Sequence, residues 1–308
     1  MRLLLDLRAR GDFAYDSRYH SKLQGLIYRF LLGSGYGELH DLRGYKFFTF
    51  SNPFPIPRDL RVPSGHPMHL IVASPSEDVI RRIYGLLLAR YVGHEVHVGE
   101  MSLELTGVRM VRSHVGWGSV IVTSTPVVVR IPEPAYERFE VPPEERRPGF
   151  IYWRPRAGIR AFLGSVELNL LRKFSEFHGW APRVDPALGI FEIAKPVRAP
   201  IPVRIPMEGG DVVVVGSTWR FYFTSMDPVR RRLLEFALDA GIGERNSMGF
   251  GFLNVMRRDQ SPGERPTADD RERPSRAIRG GRGAPAGTSQ PAVRPYPIPS
   301  RPGNFPSP

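Results

Sequence analysis

Residues 241–251 read Gly-Ile-Gly-Glu-Arg-Asn-Ser-Met-Gly-Phe-Gly, four glycines around the polar centre Glu244-Arg245-Asn246-Ser247. Residues 228–240 before it carry apolar side chains at helical spacing, and residues 249–256 read as a strand. The segment therefore runs from a helix into a strand. Glycine loops that bind nucleotides run the other way, so that a helix N-terminus faces the phosphate. No Gly-Lys-Ser/Thr and no following helix is present, which excludes ATP and NAD sites. Two readings remain. In one, Gly241 or Gly243 caps the helix in the left-handed region and the other glycines allow close packing. In the other, exposed amides with Arg245, Asn246 and Ser247 hold an extended phosphodiester backbone, which accounts for more of the segment.

Outward from this point the chain divides into two similar runs. The first predicts strands at 2–8, 46–51, 68–73 and 101–111 with helices at 19–32 and 77–91. The second predicts strands at 119–131, 190–205, 212–224 and 249–256 with helices at 166–177 and 228–240. Two consecutive βαββαβ runs imply the α+β class and two tandem ferredoxin-like domains, 1–115 and 116–256. Residues 257–308 are rich in Pro, Gly and Arg, include Arg-Gly-Gly-Arg-Gly at 279–283 and have few aliphatic residues. Such a segment cannot bury enough surface to offset its ordering entropy, and it is expected to be a disordered basic tail.

The formal charge of +12, with 43 basic against 31 acidic residues, points to a polyanion, most often nucleic acid. Only Lys22, Lys46, Lys173 and Lys195 are lysine; every other basic residue is arginine. The absence of cysteine excludes disulfide scaffolds, thiolate zinc sites and cysteine nucleophiles. No apolar run approaches the roughly 18 residues of a spanning helix, and residues 1–10 read as a charged strand rather than a signal peptide. A soluble, cytoplasmic protein without a membrane partner is expected.

The glycine segment at the end of a double ferredoxin-like pattern resembles the glycine-rich loop of the RAMP superfamily, and most closely that of the CRISPR-associated protein six family. Residues 19–31 (YHSKLQGLIYRFL) resemble the family's first helix, and residues 40–51 (HDLRGYKFFTFS) resemble the segment after it. The likeness covers roughly residues 1–256. It implies an endoribonuclease that cuts CRISPR precursor transcripts into guide RNAs.

Cutting RNA without a metal needs a group that moves protons and a cation that holds the phosphoryl charge. A histidine serves the first need and a lysine or arginine the second. His40 and Lys46, six residues apart across Gly44, can turn towards one phosphate, and Tyr28 on the first helix supplies a third group. The resemblance implies that Tyr28, His40 and Lys46 are the catalytic set, although the interval from Tyr28 to His40 is shorter than the family's. His20 is the rival base. His94 and His97 lack metal-site spacing and no paired carboxylates stand out, so neither a metal nor a cofactor is expected. Expected RNA contacts are Gly241, Gly243, Arg245, Asn246, Ser247, Gly249 and Gly251 in the loop, Arg230 and Arg231 on the last helix, and Lys195 and Arg198 in the hairpin. The partners implied are CRISPR repeat RNA, a CRISPR interference complex and a second copy of the chain as a homodimer. A non-catalytic RNA-binding protein or a structural subunit of such a complex is the alternative.

Overall fold

Arg2–Ala9 (β1) alternates buried and outward residues, with Leu3, Leu5 and Leu7 almost wholly enclosed. That period-two pattern suits a central strand with one face on a core. In the computed structural model, which describes residues 1–184, 189–206 and 210–257, β1 lies at the middle of an antiparallel sheet. The other strands are Thr49–Phe50 (β2), Pro67–Ala73 (β3), Glu95–Val98 (β4) and Met101–Val111 (β5), in the order β2-β3-β1-β5-β4. Leu5 faces Leu70 on one side and Val108 on the other. Helices Tyr19–Gly33 (α1) and Glu77–Arg90 (α2) bury Leu23, Leu26, Ile27, Ile80, Ile83 and Leu87 in the same core. Ser76 caps α2 by accepting the Val79 N–H, with Glu77 and Asp78 in the first turn.

A second sheet repeats the pattern. Ser119–Thr123 (β6), Ile159–His178 (α3), Ile193–Ile205 (β7), Val212–Tyr222 (β8), Pro228–Ala240 (α4) and Leu253–Arg257 (β9) follow in sequence, and the strands stand in the order β7-β8-β6-β9. The second sheet thus pairs the second, third, first and fourth strands of its βαββαβ run; the first sheet has the same order with β5 beside β1 and β4 added at its edge, and these pairings are antiparallel. α4 starts at the Asp227 cap with Pro228 in its first turn and stops at Gly241. Both sheets belong to one compact unit. Buried Arg2 ties them together by donating to Leu253 O at 2.9 Å and to Leu238 O.

Three expected strands change on folding, and the helix expected at 166–177 begins earlier, at Ile159. The strand expected at 46–51 survives only as β2, because Phe47 takes a left-handed conformation (φ 48°) in which its carbonyl accepts from Ser74 Oγ at 2.7 Å and its ring meets Phe177. Lys46 therefore stands in a loop instead of opening a strand. The strand expected at 119–131 breaks after Thr123. There Thr125 Oγ1 accepts the Phe252 N–H and Pro126 O accepts the Gly251 N–H, so the break receives the glycine-rich segment. The final strand accordingly begins at Leu253, not at Gly249. The tail expected at 257–308 lies, beyond Arg257, outside the described residues.

Candidate active site

The loop after α1 brings the three expected residues together. Lys46 Nζ donates to Tyr28 Oη at 2.8 Å and to the backbone oxygen of His40 at 2.6 Å. The Tyr28 and His40 rings meet edge to face, 4.9 Å between centroids, and Tyr28 is backed by buried Phe48 at 5.7 Å. His40 caps a short turn, Gly37–Leu39, whose base is fixed by Tyr36: its N–H bonds Leu31 O and its hydroxyl bonds Asp78 of α2. The site thus hangs on both helices of the first sheet. His40 Nδ1 lies 2.8 Å from Asp41 Oδ1. An ionised carboxylate only accepts, so this contact places the proton on Nδ1 and leaves Nε2 open. The imidazole is 68% exposed and solvent reaches it freely. An ammonium has three N–H donors and Lys46 commits two of them to the protein, which leaves one for an incoming oxygen.

Across from this loop lies the glycine-rich segment. All four glycines have positive φ, as does Arg245 at 57°. An added Cβ at Gly251 would overlap the Ile242 carbonyl oxygen, and one at Gly249 would overlap the ring of Phe50 on β2. The segment is tied internally as well. Asn246 Nδ2 donates to Ile242 O and Phe250 O, both at 2.9 Å, while its Oδ1 accepts from buried Lys173 of α3. Lys173 Nζ also bonds Gly243 O at 2.9 Å and Gly241 O at 3.1 Å. Burial pulls the Lys173 ammonium down to about 7, partly opposed by the Glu244 carboxylate.

Between the two loops opens a cleft of about 470 Å³. Lys46 and Tyr45 line one side, Arg245, Asn246 and Ser247 another, and Asn169 and Arg172 of α3 a third. Arg130 and Glu244 form an ion pair on its wall. Lys46 thus belongs at once to the Tyr28 and His40 cluster and to the cleft that the glycine-rich loop faces.

A curated CRISPR-associated endoribonuclease Cas6 of Haloferax mediterranei is 35% identical over 273 residues, covering 86% of this chain and 96% of that protein. The chain belongs to the Cas6 family. A second Cas6 endoribonuclease, of Methanocaldococcus jannaschii, is 28% identical over 262 residues and covered along its whole length, with 83% of this chain matched. The model for the Cas6 C-terminal region matches residues 116–255, the part that holds the second sheet and the glycine-rich loop. Among solved structures, a CRISPR-associated Cas6 protein superposes with a TM-score of 0.61 at 18% identity, over 83% of this chain and 99% of that one, a likeness of fold.

Several expected RNA contacts have other work in this Cas6 chain. Arg230 is 2% exposed, pairs with Glu192 and donates to Ser225 O and Gly189 O, so it is a strut and not a surface cation. Gly241, Gly243, Gly249 and Gly251 are buried, and the N–H groups of Gly241, Gly249 and Gly251 bond carbonyls within the protein. The packing reading therefore explains the glycines better than phosphate contact does. The Asn246 side chain is likewise used up inside the loop. Arg245 and Ser247 remain facing the cleft, while Arg231, Lys195 and Arg198 are exposed on α4 and β7. Lys173 escaped the sequence reading. Its signal was a lysine on the apolar stripe Phe162, Val166, Leu170, where the helical pattern calls for a hydrophobic residue.

His20, the rival base, is 3% exposed and sandwiched between Tyr19 and Phe250, with Nδ1 2.9 Å from Met248 O. It joins α1 to the glycine-rich loop and faces no solvent. Burial lowers it to about 4 from 6.5. A folded value below the unfolded one means that the contribution to stability is complete above pH 6.5 and lost as the pH falls towards 4, an effect of about 3 kcal/mol. Urea unfolding of wild type should weaken through that window, and His20→Phe should remove that part of the acid sensitivity. Equal acid slopes in the two proteins would contradict the assignment.

Proposed function

We propose that this chain is a metal-independent endoribonuclease that cuts CRISPR repeat RNA at the Tyr28, His40 and Lys46 cluster. Family membership makes it an endoribonuclease of CRISPR RNA processing; the chemistry and the residues are the proposal. What supports it most is that Lys46 faces the same cleft as the glycine-rich loop, so a strand laid along that loop passes beside Tyr28 and His40. Arg245 and Ser247 meet the strand in the cleft, and Arg231, Lys195 and Arg198 extend its path. The two sheets are, in this reading, tandem ferredoxin-like domains divided near residue 115.

The ribose 2′-oxygen loses its proton and bonds to the adjacent phosphorus, and the bond to the 5′-oxygen breaks as that oxygen takes up a proton. The products carry a 2′,3′-cyclic phosphate and a 5′-hydroxyl, with no atom supplied from elsewhere. His40 acts as base or acid at one of these proton transfers through its open Nε2. The uncommitted N–H of Lys46 holds the charge that develops on the phosphoryl oxygen. Tyr28, whose oxygen already accepts from Lys46, keeps its own proton to donate to the phosphate and orient it.

Incubation of the full chain with a labelled transcript of repeats from the same genome tests the reading: one cut per repeat is expected. Binding without any cut would instead make the chain a carrier or a structural subunit of an interference complex. Affinity should fall steeply with salt, each phosphate contact contributing about −0.7 to the log–log slope on single-stranded RNA. Arg231→Ala and Arg198→Ala should each flatten that slope by about one such step. An unchanged slope in both would remove α4 and β7 from the RNA path.

A further inference from the structure

The wall of the cleft formed by α3 has no part in the mechanism above. Asn169 and Arg172 are three residues apart on the helix and Lys173 follows, so all three share one face towards the cleft. Lys173 is fully engaged by the glycine-rich loop, but its neighbours are not. Asn169 Oδ1 is buried with no hydrogen-bond partner, and among the described residues its Nδ2 donates to none. A buried amide oxygen left without a donor destabilises the fold, so its position has to be explained by something other than stability. Arg172 is exposed, and among the described residues it makes no ion pair. Tyr45 stands across from them on the loop that carries Lys46, with a hydroxyl that bonds nothing among the described residues and a ring 5.8 Å from Lys173 Nζ.

An amide presents a donor beside an acceptor, the complement of a base edge such as the N6 and N7 of adenine. Bases of single-stranded RNA expose such edges and stack on aromatic side chains. A guanidinium without a partner is a phosphate ligand. The volume of the cleft, about 470 Å³, is in the range of small-ligand sites.

We propose that Asn169, Arg172 and Tyr45 form a nucleotide subsite next to the scissile phosphate, in which Asn169 reads the base edge, Tyr45 stacks on the base and Arg172 holds its phosphate. This rests on the function proposed above and adds the place where sequence is read. Turning the Asn169 amide into the cleft exchanges an unsatisfied oxygen for a bonded one, so recognition relieves a defect of the free protein.

The test uses the full chain in excess chelator and end-labelled repeat RNAs made uncleavable by 2′-deoxy substitution, each changed at one unpaired nucleotide, with affinities read by filter binding. Wild type should prefer one base at one position by about tenfold, and Asn169→Ala should abolish that preference. Arg172→Ala should weaken all RNAs alike and flatten the salt slope. The preference is a ratio measured within one protein, so partial misfolding of a variant does not imitate its loss. An Asn169→Ala protein that keeps every wild-type preference, or a wild type with none, overturns the subsite. Because no cleavage is needed, this outcome stays separate from a failure of the nuclease reading, which would appear as intact native repeats.

Discussion

His40→Ala lowers the rate of repeat cleavage by about 10²–10⁴, the usual contribution of a positioned proton-transfer group. RNA affinity and thermal unfolding stay near those of wild type, because the side chain is 68% exposed and, among the described residues, bonds only Asp41 and meets the edge of Tyr28. Changes at such exposed positions usually remain within about 0.5 kcal/mol. Lys46→Ala behaves differently. It removes the charge that faces the phosphate and also both hydrogen bonds that fasten the His40 loop to Tyr28, so it loses rate and disturbs the loop together. Asp41→Ala has a small effect, since a carboxylate 89% exposed holds its neighbour only weakly. Single-turnover cleavage at saturating enzyme separates these cases. A His40→Ala protein that cuts at the wild-type rate would remove His40 from the chemistry.

Gly251→Ala destabilises the fold by about 4 kcal/mol. A non-glycine residue at its φ of +64° costs roughly 1–3 kcal/mol, and the overlap of the new methyl with the Ile242 carbonyl costs about 1–3 more. Neither neighbour can yield easily. Ile242 N–H bonds Gly251 O at 3.0 Å, Gly251 N–H bonds Pro126 O at 2.8 Å, and Asn246 holds the Ile242 oxygen from the side. In a chain of this size the midpoint of thermal unfolding should fall by roughly 10 °C. Gly25→Ala is the contrast. Gly25 is exposed in α1 with nothing near its missing Cβ, and alanine there should stabilise by about 0.5–1 kcal/mol through helix propensity. A Gly251→Ala protein as stable as wild type would return the glycines to the role of ligand-facing backbone.

The order of helices and strands was legible because each element announces its period and its ends. α4 has its Asp227 cap, Pro228 and terminal Gly241 written into the sequence, and its expected limits are those observed. β5 alternates over Met101–Leu105 before its pairing with β1 shifts register near Gly107, and that run was equally plain. What failed was imposed from a distance. Phe47 leaves the strand conformation for contacts with Ser74 and Phe177, 27 and 130 residues away, which no local pattern encodes. The same holds for charge. Arg230 and Arg231 are adjacent in sequence, yet the turn of α4 buries one against Glu192 and exposes the other. Tyr28, His40 and Lys46 were chosen from a resemblance and from the chemistry of the reaction, and folding brings them into contact. Asn169 and Arg172 of the proposed subsite could not be chosen that way, since the case for them rests on bonds that they do not make among the described residues.

The proposed cleavage turns on attack by the ribose 2′-hydroxyl without a metal. The most direct measurement is the identity of the termini formed when wild-type protein cuts native repeat RNA in excess chelator, beside the same RNA carrying a single 2′-deoxy nucleotide at the cut. A 2′,3′-cyclic phosphate and a 5′-hydroxyl are expected from the native RNA, and no cut in the deoxy RNA. A 3′-hydroxyl with a 5′-phosphate, or cleavage that stops in chelator and returns with magnesium, would contradict it.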